Sequence, residues 1–194
     1  MRYIGAYSLI GLLMRLLFSL LVVCVAVFSA QPSHAQIVLS KISDMFFGEL
    51  EYDTTYNGQV RLGTNGALTT TGSGLVISGV GVPGQVGITA TPADVVEIKC
   101  RRNVRLALPT GERLTVNQTE GVIDTGVPFG AGTRCDNLGG ARNPIAVIDI
   151  AANPTPTVLI GGRIRINAGA GLASGVYSST NTGGRAMRVR VLFQ

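Results

Sequence analysis

From residue 46 onward the chain keeps returning to one pattern. Runs of four to ten residues rich in Val, Ile, Leu and Thr are each stopped by Gly, Pro, Asn or Asp. Candidate strands are Phe46 to Tyr52, Gln59 to Leu62, Ala67 to Thr71, Leu75 to Val80, Gln85 to Thr91 and Val95 to Cys100. They continue with Val104 to Leu108, Arg113 to Asn117, Ile145 to Ile150, Thr157 to Ile166, Gly175 to Ser179 and Ala186 to Phe193. Asn57-Gly58, Asn65-Gly66, Pro83-Gly84, Pro109-Thr110-Gly111 and Gly183-Gly184 supply turn chemistry between them. No stretch of 12 residues carries the 3.6-residue apolar spacing of a helix. Many short strands at this spacing predict an all-β, antiparallel sandwich.

The first 35 residues are built differently. Arg2 and Arg15 precede the apolar run Leu16 to Phe28, and no acidic residue occurs before Asp44. That run has the length of a signal-peptide core and is short for a membrane span. Ser33-His34-Ala35 supplies small residues at the minus-three and minus-one positions, so cleavage between Ala35 and Gln36 is expected. The alternative is an uncleaved anchor helix over Leu9 to Ala30. The expected organisation is a signal peptide over 1–35, an N-terminal arm over 36–45 and a β-sandwich domain over 46–194, with no stable membrane span after cleavage.

Removing 35 residues from 194 leaves 159, with 14 Lys and Arg against 11 Asp and Glu, a net charge of +3. Twelve of those cations are Arg, scattered apart from Arg101-Arg102 and Arg105, so no nucleic-acid partner is expected. His34, the only histidine, leaves with the signal segment. A mature chain without His cannot build a Ser-His-Asp or Cys-His pair, a two-His metal site or an imidazole acid/base. No metal site, cofactor or histidine-based catalytic residue is expected. Cys24 departs as well, leaving Cys100 and Cys135 for an oxidising compartment. A disulfide between them is expected to contribute roughly 3 to 4 kcal/mol, the alternative being two free buried thiols.

Alternation is clearest in two places. Arg163-Ile164-Arg165-Ile166 puts both isoleucines on one face and both arginines on the other. The last strand places Met187, Val189, Val191 and Phe193 inward and Arg188 and Arg190 outward. The Gly-rich stretch Thr71 to Gly87 has no fixed repeat length, and no helix follows it, so dinucleotide binding is a poor reading.

Ile160-Gly161-Gly162-Arg163-Ile164-Arg165-Ile166, then Gly175-Val176-Tyr177, then the alternating final strand resemble the C-terminal pattern of a bacterial family of exported domains of unknown function. Met45-Phe46-Phe47-Gly48-Glu49-Leu50 resembles that family's opening Phe-Gly element, and Arg105 to Leu108 with Arg113 to Val116 its central hairpin. More distantly, the chain resembles chaperone-usher fimbrial pilins, in which a Phe-Gly element follows an N-terminal arm and an aromatic residue is penultimate, as Phe193 is here. That resemblance implies an incomplete immunoglobulin-like sandwich whose open groove accepts the arm of the next subunit by strand addition. The implied interface is Ile37 and Leu39 from the arm with Met187, Val189, Val191 and Phe193 from the last strand. Implied partners are further copies in a homopolymer or pilus, a periplasmic chaperone and an outer-membrane usher. Alternatively, Gln36 to Ser43 is an edge strand of its own domain.

One enzymatic alternative rests on Val122-Ile123-Asp124-Thr125-Gly126. Two apolar residues before Asp-Thr-Gly form the active-site element of aspartic proteases, where paired carboxylates share a proton and activate water. Such a chain would dimerise to pair Asp124 with its copy, and Val158-Leu159-Ile160-Gly161 resembles the supporting element. The competing reading is an ordinary turn. Asp124, Asp136 and Asp149 lack the spacing of a calcium loop. Asn117-Gln118-Thr119 matches a glycosylation acceptor. Tyr52 and Tyr56 suit either a sugar platform or packing around a turn, and Arg101-Arg102 is read as a solvated strand end. The sequence thus predicts a secreted, nonenzymatic structural or adhesive protein of periplasm, cell surface or fimbrium, against a monomeric binding module or the Asp124 protease.

Overall fold

The computed structural model describes residues 35–136 and 143–194, and these are all-β. The signal-segment reading over 1–35 falls outside the described residues, apart from Ala35. Strands in chain order are β1 (Gln36–Ser43), β2 (Glu49–Tyr52), β3 (Gly58–Leu62), β4 (Leu68–Thr71), β5 (Leu75–Ser78), β6 (Gly84–Thr91) and β7 (Val95–Cys100). They continue with β8 (Val104–Ala107), β9 (Arg113–Ile123), β10 (Thr133–Arg134), β11 (Ala146–Asp149), β12 (Thr157–Ile166) and β13 (Val189–Phe193). Every pairing between these strands is antiparallel.

β12 is the spine. Along one edge its first half pairs with β6 (Val158 opposite Val86) and its second half with β3 (Ile164 opposite Val60). Along the other edge it pairs with β9. β1 extends the sheet beyond β6, β4 beyond β3, and β8 and β10 beyond β9. Two smaller sheets, β11-β7-β13 and β2-β5, complete the fold.

Period-2 alternation sends the even residues of β12 to one face, where they meet two cores. Val158 and Ile160 pack with Ile88 of β6 and with Val96, Ile98, Ile148 and Val191 of the three-stranded sheet. Ile164 and Ile166 pack with Val60, Leu62, Leu114 and Val116, and the β2-β5 ribbon leans on this second cluster through Leu50, Tyr52, Leu75 and Ile77. Met187 touches both clusters.

Gly161 shows why the spine reads Gly-Gly at its centre. A Cβ there would lie 2.2 Å from the Leu62 carbonyl oxygen, which is backbone and cannot move aside. β9 runs on to Ile123, beyond the expected Asn117, by taking a bulge. The register slips between Gly161 and Arg163, and Gln118 adopts a φ of 47°. Leu114 and Val116 therefore face the second cluster, and Ile123, on the other side of the slip, faces the first. The expected strand Gly175 to Ser179 is not formed. Its only ladder contact is a bridge from Ser178 to Ala107, because the segment follows the edge of β8 as a loop. Phe46 likewise makes an isolated bridge to Val82, and β2 starts only at Glu49.

Candidate functional site: the sheet edges

β1 is an edge strand of its own sheet. It pairs with β6 alone among the described residues, from Gln36 opposite Thr91 to Ser43 opposite Gln85, with an irregularity after Lys41. Ile37 packs on the first core cluster beside Ala90. Beyond it the positions of the same parity are Leu39 and Lys41, and both are exposed. Val38 is 47%, Leu39 42% and Ile42 56% exposed, so both faces of this edge offer apolar side chains to solvent.

The last strand lies in the three-stranded sheet. β13 pairs with β7, with Val191 opposite Ile98 and Phe193 opposite Val96. Val191 is buried, while Met187, Val189 and Phe193 are half-buried against the same cluster. Arg188 and Arg190 face solvent, as the alternation predicts. The six residues of the expected interface therefore divide. All but Leu39 meet in one core cluster, yet β1 and β13 belong to different sheets and are not paired.

Cys100 and Cys135 form a disulfide, their Cα atoms 4.9 Å apart and both residues buried. Cys100 ends β7, and the Cys135 N–H donates to the Thr119 carbonyl of β9 at 2.9 Å. The bond thus staples the smaller sheet that carries β13 to the larger one.

Asp124 sits in a turn at the end of β9 with a φ of 61°. Its N–H donates to the Thr157 carbonyl at 2.8 Å, and its Oδ1 accepts the Thr157 N–H at 2.7 Å. The carboxylate therefore closes the β9-β12 ladder at an exposed site. Gly126, two residues on, lets the loop pass the Thr64-Asn65 corner, where a Cβ would lie 2.6 Å from the Thr64 carbonyl oxygen. Asp124 and Gly126 of this tripeptide each have a structural role in the turn. Tyr52 is used in packing as well, since its hydroxyl donates to the Leu172 carbonyl (3.0 Å) and accepts the Leu172 N–H (2.8 Å).

Glu120 is the site that sequence reasoning misses. Parity places it on the outer face of β9, yet only 2% of its surface is exposed. The loop after β9 folds back over it, and the Gly130 N–H donates to both carboxylate oxygens, at 3.0 and 2.8 Å. Burial pushes this carboxyl above its ordinary range, against the downward pull of the Gly130 and Gly132 N–H groups and of Arg134. Thr64 pins the same loop from the side. Its hydroxyl donates to the Val127 carbonyl (3.1 Å) and accepts the Val127 N–H (2.8 Å).

A family model described as Domain of unknown function (DUF4402) matches residues 37–182. No curated protein and no solved structure matches the chain.

Proposed function

The chain belongs to the DUF4402 family, and from that premise we propose that it is a secreted, nonenzymatic structural or adhesive subunit that associates by β-strand addition. In this reading residues 1–35 are a signal peptide, and the packed sheets form an immunoglobulin-like sandwich related in design to fimbrial pilins. The observation that carries the proposal is β1, an eight-residue edge strand joined to one neighbour, with Val38, Leu39 and Ile42 about half exposed. Such an edge is a template for pairing with another chain.

If β1 of one copy leaves its own β6 for the β6 of the next, every hydrogen bond and the Ile37 contact are remade between chains. Exchange then costs little in contacts, and effective concentration decides whether it occurs. β13 offers a second acceptor, because it too is an outermost strand with Val189, Val191 and Phe193 already turned to the core.

The test mixes two variants that each add one cysteine, Val38→Cys and Thr89→Cys, whose positions face one another across the β1-β6 ladder. A disulfide between the two different chains is expected, together with ladders on an unheated denaturing gel that collapse on boiling. A clean monomer with no mixed dimer at any concentration overturns strand addition and leaves a monomeric binding module.

A further inference from the structure

The outer face of the eight-stranded sheet is turned away from both cores, and arginines from distant parts of the chain meet there. β12 sends Arg163 and Arg165 outward, and β3 sends out Gln59 and Arg61. Register sets Arg163 opposite Arg61 and Arg165 opposite Gln59, with Asn117 of β9 on the far flank of Arg163. Arg134 of β10 acts on the same field, since its charge and those of Arg61 and Arg165 are felt at Arg163. Neighbouring strands lie about 4.8 Å apart, so these side chains fall within a patch roughly 15 Å across.

What matters is how the charges are held. Arg163 donates from Nε to the Asn117 Oδ1 at 3.0 Å and from Nη1 to the Gln59 Oε1 at 3.3 Å. Both acceptors are neutral amides, which fix the guanidinium without cancelling its charge. Arg61 lies against the Phe129 ring, 5.5 Å from its centroid, and its Nε is buried without a partner. Among the described residues Arg61, Arg163 and Arg165 form no salt bridge. The nearby acid, Glu120, has its carboxylate turned to the Gly130 N–H. Like charges fixed by neutral amides and joined in no salt bridge are set up for an anion from outside.

Beside this patch lies an open cleft of about 360 Å³, lined by Asn57, Gln59, Thr71, Arg165 and Asn167 among others. Amide and hydroxyl groups around one guanidinium suit the hydroxyls and acid group of a sugar. We propose that this face binds an acidic polysaccharide, its carboxylate or sulfate groups on the arginine rows and a sugar ring in the Asn57–Asn167 cleft. The aromatic ring of the patch, Phe129, is occupied on Arg61 and leaves no stacking platform for nucleobases or apolar wedge for a membrane. None of these residues lies in β1 or β13, so the proposal stands apart from strand addition.

The experiment titrates the purified protein with heparin and with polygalacturonate. Dextran serves as a neutral control, and phosphatidylglycerol vesicles and single-stranded DNA as competing anions. Binding to at least one charged polysaccharide and none to dextran is expected, weakening with salt. Arg165 is exposed, so Arg165→Gln should leave the circular dichroism unchanged while weakening binding roughly tenfold. The Arg163→Gln/Arg165→Gln pair should weaken it roughly a hundredfold. Arg188→Gln, outside the patch, should stay within about twofold. Equal loss with Arg188→Gln, no loss with Arg165→Gln, or tighter binding to vesicles or DNA than to either polysaccharide overturns the proposal.

Discussion

Reducing the Cys100–Cys135 bond should cost this fold a large share of its stability. The two cysteines are 35 residues apart in sequence. Closing a loop of that length removes unfolded-state entropy equivalent to about 4 kcal/mol at 25 °C. Both cysteines are buried in the first cluster, so the reduced thiols stay packed where the bridge was and the comparison isolates the cross-link. With a denaturant slope of about 2 kcal/mol per molar urea, the midpoint should fall by about 2 M on reduction. The assay is far-UV circular dichroism in urea on oxidised protein and on protein held in reductant, with intact mass confirming zero and two free thiols. Midpoints within about 0.5 M of each other would refute the argument, because they would mean that closing the loop does not restrict the unfolded chain by the amount derived. An oxidised sample with two free thiols would remove its premise.

Glu120 makes stability depend on pH. Its carboxyl is raised in the folded chain, so the folded state holds this proton more tightly than the unfolded state does. The contribution is full below the ordinary value of 4.5 and is lost as pH rises through the raised folded value. Melting temperature of the wild type relative to Glu120→Gln should therefore fall as pH rises across that window, and a difference independent of pH would contradict the burial argument. Gly161→Ala forces a Cβ to 2.2 Å from the Leu62 carbonyl at the centre of the large sheet. We expect at least about 3 kcal/mol of destabilisation or no soluble protein, and an unchanged urea midpoint would mean that β3 and β12 can part there.

Much of the architecture is legible in local chemistry. Val95–Cys100 and Thr157–Ile166 stand where the β-branched runs and their flanking turn residues put them. The disulfide follows from cysteine parity, and the inward and outward residues of β13 from period-2 alternation. The errors arise where tertiary contacts override local pattern. Nothing around Asn117 announces that β9 continues to Ile123, because the continuation depends on a bulge set by the partner β12. Gly175 to Ser179 has strand-like composition but finds only the edge of β8. The arginine patch was half visible, in Arg163 and Arg165. Arg61 and Arg134 join them only through register, which no local reading supplies. Glu120 lies beyond the expected end of its strand at Asn117, and its burial depends on the Phe129 to Gly132 loop, which no local pattern announces.

The placement of β12 sets the order in which this protein can come into being. Ile164 faces Val60 across 104 residues of chain, and Val158 faces Val86 across 72. The three pairings that join the large sheet together, of β12 with β3, β6 and β9, wait for a segment that begins at residue 157. Non-local pairing of this kind makes folding slow, although β3-β4 and β8-β9 can pair early as local hairpins. Until that segment is available the chain can hold its local hairpins and the β1-β6 pair, and it completes the large sheet only when the spine arrives. During that interval the edge of β6 away from β12 is already open to β1, and under the strand-addition proposal whichever β1 reaches it first, its own or another's, decides whether the product is a closed unit or a link.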